Sequence, residues 1–298
     1  MPTQDIDLPT LIERFGSEDN CHAYLERLRW PDGLECPRCG GKTISRIKER
    51  RQFDCDDCRY QFSVRVGTIF HDSKLPLWKW FLATYLICQS KKGISSNQLK
   101  RMLGVSYKTA WYLTHRIRAA MKDAEGGKLL SGIVEVDETY VGGKVQGKGR
   151  AYKGNKTLVV GAIQRGGEVR LEVVKDRSRS SLHRFIKEKV DDKTEAIFTD
   201  DYEAYEGIED AKTLHATVKH REKEWVVGEV HTNTVEGVWS LLKRSVIGSY
   251  HKLSVKHLPA YLDEMEWRFS NRDNPYMFRD TMRRLIGAET LRYQELVA

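Results

Sequence analysis

Apolar positions along the chain change rhythm twice, and each rhythm predicts a different kind of segment. The first segment opens with a helical start over about Leu11–Leu28. It then turns to short alternating runs such as Tyr60-Gln-Phe62-Ser-Val64, with Gly40-Gly41 suited to a tight turn between strands. In the second segment the spacing is helical throughout, and Leu77, Trp80, Phe81, Thr84, Tyr85 and Cys88 mark one buried face. Ser95 or Ser96 then caps a short helix, Asn97–Leu103; Gly104 makes a turn, and Ser106 caps a longer helix running through Met121. From about residue 130 strand-like runs take over. Ile133-Val-Glu-Val136 predicts a strand ending at Asp137, and a glycine-rich basic loop follows (Gly142, Gly143, Lys144, Gly147, Lys148, Gly149, Arg150). Leu158–Ile163 and Val169–Val174 predict a hairpin around Arg165-Gly-Gly167. A helix over Ser180–Val190, a strand Glu195–Phe198 with Asp200 just past its end, a strand Lys212–Val218 and a helix Thr232–Val246 complete the series.

Three strands, a helix, one or two more strands and a helix is the order of an RNase H-like mixed-sheet core. The predicted architecture is a multidomain α+β and α/β chain. Residues 1–68 form a helical start and a ribbon, 69–124 a helix-turn-helix, 130–250 the RNase H-like core and 251–298 a helical extension. The stretch Val255–Arg268 either covers the sheet or supports assembly.

Charge adds a partner to this picture. The chain of 298 residues carries a net charge of +8. Residues 42–118 hold sixteen Lys and Arg against five Asp and Glu, so the basic excess sits in one block that overlaps the predicted helix-turn-helix. That is the footprint of a segment lying along phosphates. In this reading Tyr107, Lys108 and His115 face a groove of double-stranded DNA, with Arg116 and Arg118 near phosphates; an ordinary helical hairpin shares the same caps and turn. The first twenty residues lack a basic start and an apolar run, and the apolar stretch around Trp78–Cys88 is interrupted by Lys79. The expectation is a cytoplasmic, nucleoid-associated protein without membrane attachment.

Four of the six cysteines lie in two close pairs, Cys36-Pro-Arg-Cys39 and Cys55-Asp-Asp-Cys58. In a reducing compartment two such knuckles gather four thiolates as a tetrahedron, with a β-hairpin between them. The expectation is one structural Zn²⁺ with no open coordination position.

Cutting a phosphodiester in line calls for a nucleophile, charge stabilisation on the phosphate and help for the leaving oxygen. Two divalent ions about 3.5–4 Å apart supply all three. Hard cations take oxygen ligands. Asp137 and Asp200 become neighbours if their strands pair, and a carboxylate from the later helix, Glu236, closes the set. Two carboxylates about 4 Å apart repel by roughly 4 kcal/mol at an effective dielectric of 20, which a cation offsets. Lys243 lies two helical turns beyond Glu236, on its face, where it can reach a phosphate beside Arg244. Asn233, three residues before Glu236, is an alternative ligand on that face. Glu138 points away from Asp137 in a continuing strand. His231 is either a cap or DNA contact, or structural.

Taken together, these motifs resemble the insertion-sequence transposases of the DDE class, in the subgroup headed by a zinc ribbon. The resemblance rests on the two knuckles, Gly67-Thr-Ile-Phe70, Lys92-Gly-Ile-Ser95, Leu103-Gly-Val-Ser106 and Thr109-Ala-Trp111. It continues through Val136-Asp-Glu-Thr-Tyr-Val-Gly-Gly143, Thr199-Asp200 with Tyr205, and His231-Thr-Asn-Thr-Val-Glu-Gly-Val-Trp239 up to Lys243-Arg244. It implies an RNase H-like catalytic fold, Mg²⁺ or Mn²⁺ as cofactor, and strand transfer at inverted terminal repeats. Asp200 takes precedence over Asp201 because it sits five residues before Tyr205, as in the family pattern. Some members have Asn at the third position, which keeps Asn233 beside Glu236. Joining two ends calls for a homo-oligomer on DNA. The rival readings are an RNase H-like nuclease without strand transfer and a catalytically inactive zinc-ribbon regulator.

Overall fold

The computed structural model describes residues 6–123, 127–142, 156–208, 213–218 and 230–298. The glycine-rich loop expected at 143–150 lies outside them. Two compact units emerge: Met1–Lys122 with Asn274–Ala298, and Asp123–Asp273.

The first unit begins with two helices, where the apolar spacing predicts one. α1 (Leu8–Phe15) ends at Gly16, whose N–H bonds Ile12 O at 2.8 Å. α2 (Glu18–Arg29) starts at once, because Ser17 Oγ accepts the Asn20 N–H at 3.2 Å. A small antiparallel sheet follows, β1 (Ile44–Ile47), β2 (Gln52–Cys55) and β3 (Gln61–Phe62), around Phe53, Phe62 and the cysteines. α3 (Leu77–Gln89) buries Leu77, Trp80, Phe81, Thr84 and Cys88, as its spacing predicts, whereas Tyr85, expected on the same face, is only partly buried. Its first turn is capped from a distance: the Glu18 carboxylate accepts the Leu77 N–H at 2.8 Å.

α4 (Ser96–Leu103) and α5 (Tyr107–Met121) pack on each other, with Ser95 and Ser106 as side-chain caps and Gly104 in the left-handed region at φ 59°. α9 (Met277–Gly287) packs on α2, α3 and α5, where Phe278 meets Phe15 and Phe81. A short helix, α10 (Tyr293–Val297), ends the chain. The extension expected over 251–298 therefore divides between the units. Its later helices carry the apolar side chains that complete the core of the first.

In the second unit a five-stranded sheet has the order β6-β5-β4-β7-β8. β4 (Ile133–Val141), β5 (Thr157–Gln164) and β6 (Val169–Val174) form an antiparallel meander, while β7 (Ala196–Asp200) and β8 (Leu214–Val218) run parallel to β4. This mixed order is the RNase H-like sheet. α6 (Arg179–Lys189) covers one face through Leu182, Phe185 and Ile186 against Val134, Val136 and Val160. α7 (Asn233–Ser245) and α8 (Leu258–Ser270) cover the other, through Val235, Val238, Trp239, Leu258 and Leu262. Side chains alternate across a strand, so every second residue of β4 faces α7.

Candidate active site

Asp137 belongs to the middle of a strand, although its sequence predicts a strand end. β4 continues past it because its antiparallel ladder with β5 runs on to Val141 and Thr157. Its parallel ladder with β7 is shorter, with Glu135 opposite Phe198. Two residues further along each strand stand Asp137 and Asp200, just past the last paired residues of this ladder, and the Asp200 charge is felt at Asp137. Asp200 is the last residue of β7, opposite Val218, and its Oδ1 accepts the Tyr202 N–H at 3.2 Å. Asp201 is outside the strand and exposed.

The Trp239 indole of α7 donates to Asp137 Oδ2 at 2.8 Å. That ring lies where a glycine allows it to lie. Gly161 faces Asp137 across the β4–β5 ladder, and a Cβ there would come within 2.5 Å of the indole Cη2. Burial, the adjacent Glu138 and nearby Asp200 push the Asp137 carboxyl up to about 7, against a smaller downward pull from the Trp239 bond.

Glu138 lies on the opposite strand face, as alternation predicts, yet it is engaged. It accepts from the buried Tyr205 hydroxyl at 2.7 Å and pairs with Arg177, whose guanidinium covers the Tyr202 ring at 4.1 Å. Burial raises the proton affinity of both Glu138 and Tyr205.

α7 begins at Asn233 and carries an exposed polar stripe: Asn233, Glu236, Gly237, Ser240, Lys243 and Arg244. Glu236 is one turn before Trp239 and Lys243 one turn after it, so both flank the residue that holds Asp137. The Asp137, Asp200 and Glu236 oxygens do not close to within 4.8 Å of one another. Among the described residues, the four ribbon cysteines do.

Those cysteines form a metal cage. Cys36 and Cys58 sulfurs lie 3.7 Å apart and Cys39 and Cys55 sulfurs 3.6 Å apart. A tetrahedron with Zn–S of about 2.3 Å has edges of about 3.8 Å, whereas a disulfide would need about 2 Å. Backbone N–H groups of Arg38 and Gly41 point at the Cys36 and Cys39 sulfurs, both at 3.4 Å. The donor set and its spacing fit Zn²⁺, and the cysteines leave no coordination position open.

The residues expected at a DNA groove divide by burial. Tyr107 and Lys108, at the start of α5, are exposed, with the Lys108 Nζ 4.3 Å above the Tyr293 ring. His115, Arg116 and Arg118 are buried. Arg116 donates to His71 O at 2.8 Å and lies over the Trp80 and Tyr112 rings; Arg118 donates to Thr114 Oγ1 at 3.2 Å. A charge held inside by such contacts costs several kcal/mol to unpair. These three are spent on the core of their unit, not on its surface. The overlap of the basic block with this region concealed the difference, since a count of charges does not separate buried arginines from exposed ones.

Sequence reasoning missed the contacts of four residues. Trp239 reads as an apolar core position, and nothing in the spacing reveals its N–H partner. Glu138 and Tyr205 meet across 67 residues. Glu135 carried a usable signal: a charge on the buried side of the apolar run Ile133–Val136. The structure surrounds it with Arg165, His231, Thr234 and Val235.

Residues 129–270 match the ISXO2-like transposase domain and residues 16–61 the transposase zinc-ribbon domain. The "uncharacterized protein in transposable element ISH50" of Halobacterium salinarum is 30% identical over 277 residues, spanning 86% of this chain and 92% of that one. Among solved structures, a chain of the simian T-cell lymphotropic virus intasome with PP2A regulatory subunit B56 gamma is 15% identical, covering 63% of this chain and 65% of that chain at TM-score 0.32. The Mos1 strand transfer complex is 11% identical, covering 70% and 75% at TM-score 0.32. At these scores the fold rests on the sheet order itself. No helix among the described residues is long and apolar enough to cross a membrane. Ribbon, sheet order and a relative that matches along most of both chains agree: the protein belongs to the DDE-class insertion-sequence transposases, in the ISXO2-like subgroup headed by a zinc ribbon.

Proposed function

We propose that this transposase binds the ends of an insertion sequence, cleaves them in a divalent-metal site and joins them to target DNA. The observation that carries the reading is the juxtaposition of Asp137 and Asp200 on adjoining strands under the helix that bears Glu236 and Lys243. Carboxylate oxygens that repel one another suit a hard cation, and the Asp137 carboxyl is raised to about 7, chiefly by burial and then by the neighbouring Glu138 charge. In this reading Asp137, Asp200 and Glu236 hold two Mg²⁺ or Mn²⁺ ions, with Asn233 as the alternative third ligand. Such ions, when bound, activate the nucleophile and stabilise charge on the phosphate and the leaving oxygen.

The chain's own residues orient the reactants. Trp239 fixes the rotamer of Asp137 by holding one carboxylate oxygen. Lys243 and Arg244, on the exposed stripe of α7, bind phosphates of the DNA lying over the site. Tyr107 and Lys108 start the recognition helix and meet the element end. Water attacks first and frees a 3′-hydroxyl; that hydroxyl then attacks target DNA, with no covalent protein–DNA intermediate. Two ends joined together call for a homo-oligomer on DNA.

The test is incubation with candidate element ends, Mg²⁺ and a target plasmid, scored for insertion. Asp137→Ala is expected to abolish cleavage and joining while end binding persists. Joining at the wild-type rate by that variant overturns the metal-site assignment. Cleavage without insertion by the wild type identifies the nuclease reading, and neither reaction with intact end binding identifies the regulator.

A further inference from the structure

The Glu135 side chain is fully buried, and neither its charge nor its contacts enter the chemistry above. Two residues before Asp137 on β4, it projects from the same strand face. Its carboxylate accepts the Thr234 N–H at 2.8 Å and the Val235 N–H at 3.1 Å. The Thr234 hydroxyl donates to the other oxygen at 2.8 Å, as does Arg165 Nε at 2.8 Å. His231 Nδ1 lies 3.2 Å away, and Arg165 also donates to the His231 carbonyl at 3.2 Å.

Thr234 and Val235 are the second and third residues of α7. These N–H groups have no partner inside a helix and are ordinarily bonded by the side chain of the N-cap residue. Here the N-cap residue is Thr232, whose side chain makes no such bond. The cap comes instead from a strand about a hundred residues earlier in sequence. Its negative charge also complements the positive end of the helix.

We propose that Glu135 is a positioning residue for the active site: its carboxylate clamps the first turn of α7 to β4, and so fixes Glu236 relative to Asp137. The inference rests on the assignment of Asp137 and Glu236 as metal ligands. One strand then sets both ends of the ligand set. Asp137 comes from the backbone of β4 directly, and Glu236 comes from a helix whose start β4 holds. Arg165, on the turn after β5, pairs with the buried carboxylate and supplies a countercharge beside the clamp. Because the clamp grips backbone N–H groups, it controls where the helix begins, independently of which side chain stands at 233 or 236.

Glu135→Gln keeps the shape but puts an amide donor among donors. In that variant the amides of Thr234 and Val235 should exchange hydrogen faster with solvent, while those of α6 stay as in the wild type. Mn²⁺ binding to the protein alone, followed by the electron-spin resonance of free Mn²⁺, should weaken. Strand transfer should fall on the order of 10²-fold, the usual effect of moving a catalytic group by about 1 Å, with end binding retained. Thr234→Val removes one donor and leaves the carboxylate, so it should move the same readouts in the same direction by less. It also keeps the idea testable if the glutamine variant does not fold. Unchanged exchange at 234–235 and unchanged Mn²⁺ affinity in a folded Glu135 or Thr234 variant overturn the positioning role. Asp137→Asn serves as the reference: if it too leaves Mn²⁺ binding unchanged, the site assignment fails, not the clamp alone.

Discussion

Replacing Asp137 by Asn should make the metal-free protein more stable, and more so as pH rises. In the folded protein the Asp137 carboxyl is raised from its ordinary 3.8 to about 7, chiefly by burial and then by Glu138. The folded state therefore holds this proton more tightly than the unfolded chain does. Its contribution to stability is whole below about pH 3.8 and is lost progressively until the pH has risen through about 7. At 1.36 kcal/mol for each pH unit in that window, the loss is at most about 2 kcal/mol at pH 5 and about 4 kcal/mol at pH 8. Asparagine has no charge to lose and keeps an oxygen for the Trp239 N–H. The gain of Asp137→Asn over wild type should thus grow by roughly 2–3 kcal/mol between pH 5 and pH 8. For a unit of this size each kcal/mol moves the melting temperature by about 2–4 °C, so the gap should widen by roughly 5–10 °C. The assay is thermal unfolding followed by circular dichroism in Mg²⁺-free buffer without chelator, which leaves the ribbon its zinc. Adding Mg²⁺ at pH 8 should then raise the melting temperature of the wild type and not that of the variant. A variant that gains nothing between pH 5 and pH 8, or is less stable than wild type at pH 8, would refute the claim that an uncompensated buried carboxylate sits at this position.

Two further outcomes follow from contacts already described. Gly161→Ala puts a Cβ 2.5 Å and 2.8 Å from Trp239 ring atoms and 2.9 Å from a Leu171 methyl. Overpacking of this kind costs about 1–3 kcal/mol and pushes the indole away from Asp137, so strand transfer should drop further than a melting curve alone accounts for; a folded variant with wild-type activity contradicts this. Cys36→Ser removes one corner of the sulfur tetrahedron, so metal analysis should find the protein depleted of zinc and a binding assay should find end recognition weakened, whereas undiminished zinc content sinks the assignment.

What could be read from the sequence, and what could not, follows from the range of each interaction. Strand alternation and helical spacing are local, so they delivered the sheet members, the α7 face shared by Glu236 and Lys243, and the caps at Ser95 and Ser106. The knuckles were legible because four thiolates at that spacing have few other uses. Boundaries failed where a tertiary partner decides them. β4 runs on through Asp137 because β5 continues beside it. The split of one predicted helix into α1 and α2 is different: Ser17 caps Asn20 three residues on, a local signal that was there to be read. The buried arginines were misread as phosphate contacts because Trp80, Tyr112 and the His71 carbonyl, which hold Arg116, are scattered along the chain. The clamp at Glu135 and the Tyr205–Glu138 bond span about a hundred and 67 residues respectively, beyond any window of periodicity.

β4 also bears on which acid the proposed chemistry would use. It carries three, Glu135, Asp137 and Glu138. Glu135 is met by Arg165 and two backbone N–H groups; Glu138 is met by Arg177 and a tyrosine hydroxyl. Each of these has a cation and the hydrogen bonds that make a buried carboxylate tolerable. Asp137 stands between them with a neutral indole as its hydrogen-bond donor and two carboxylates, Glu138 and Asp200, acting on it. An arginine there would offset the charge and also occupy the oxygens. The fold thus matches the two flanking acids with arginines and leaves Asp137 without one, which supports the proposal that a cation binds there. By pairing with Glu135 and Glu138 the flanking arginines lessen the negative charge at those positions, so in the proposed reading the deficit is greatest at Asp137, where the Glu138 and Asp200 charges still act.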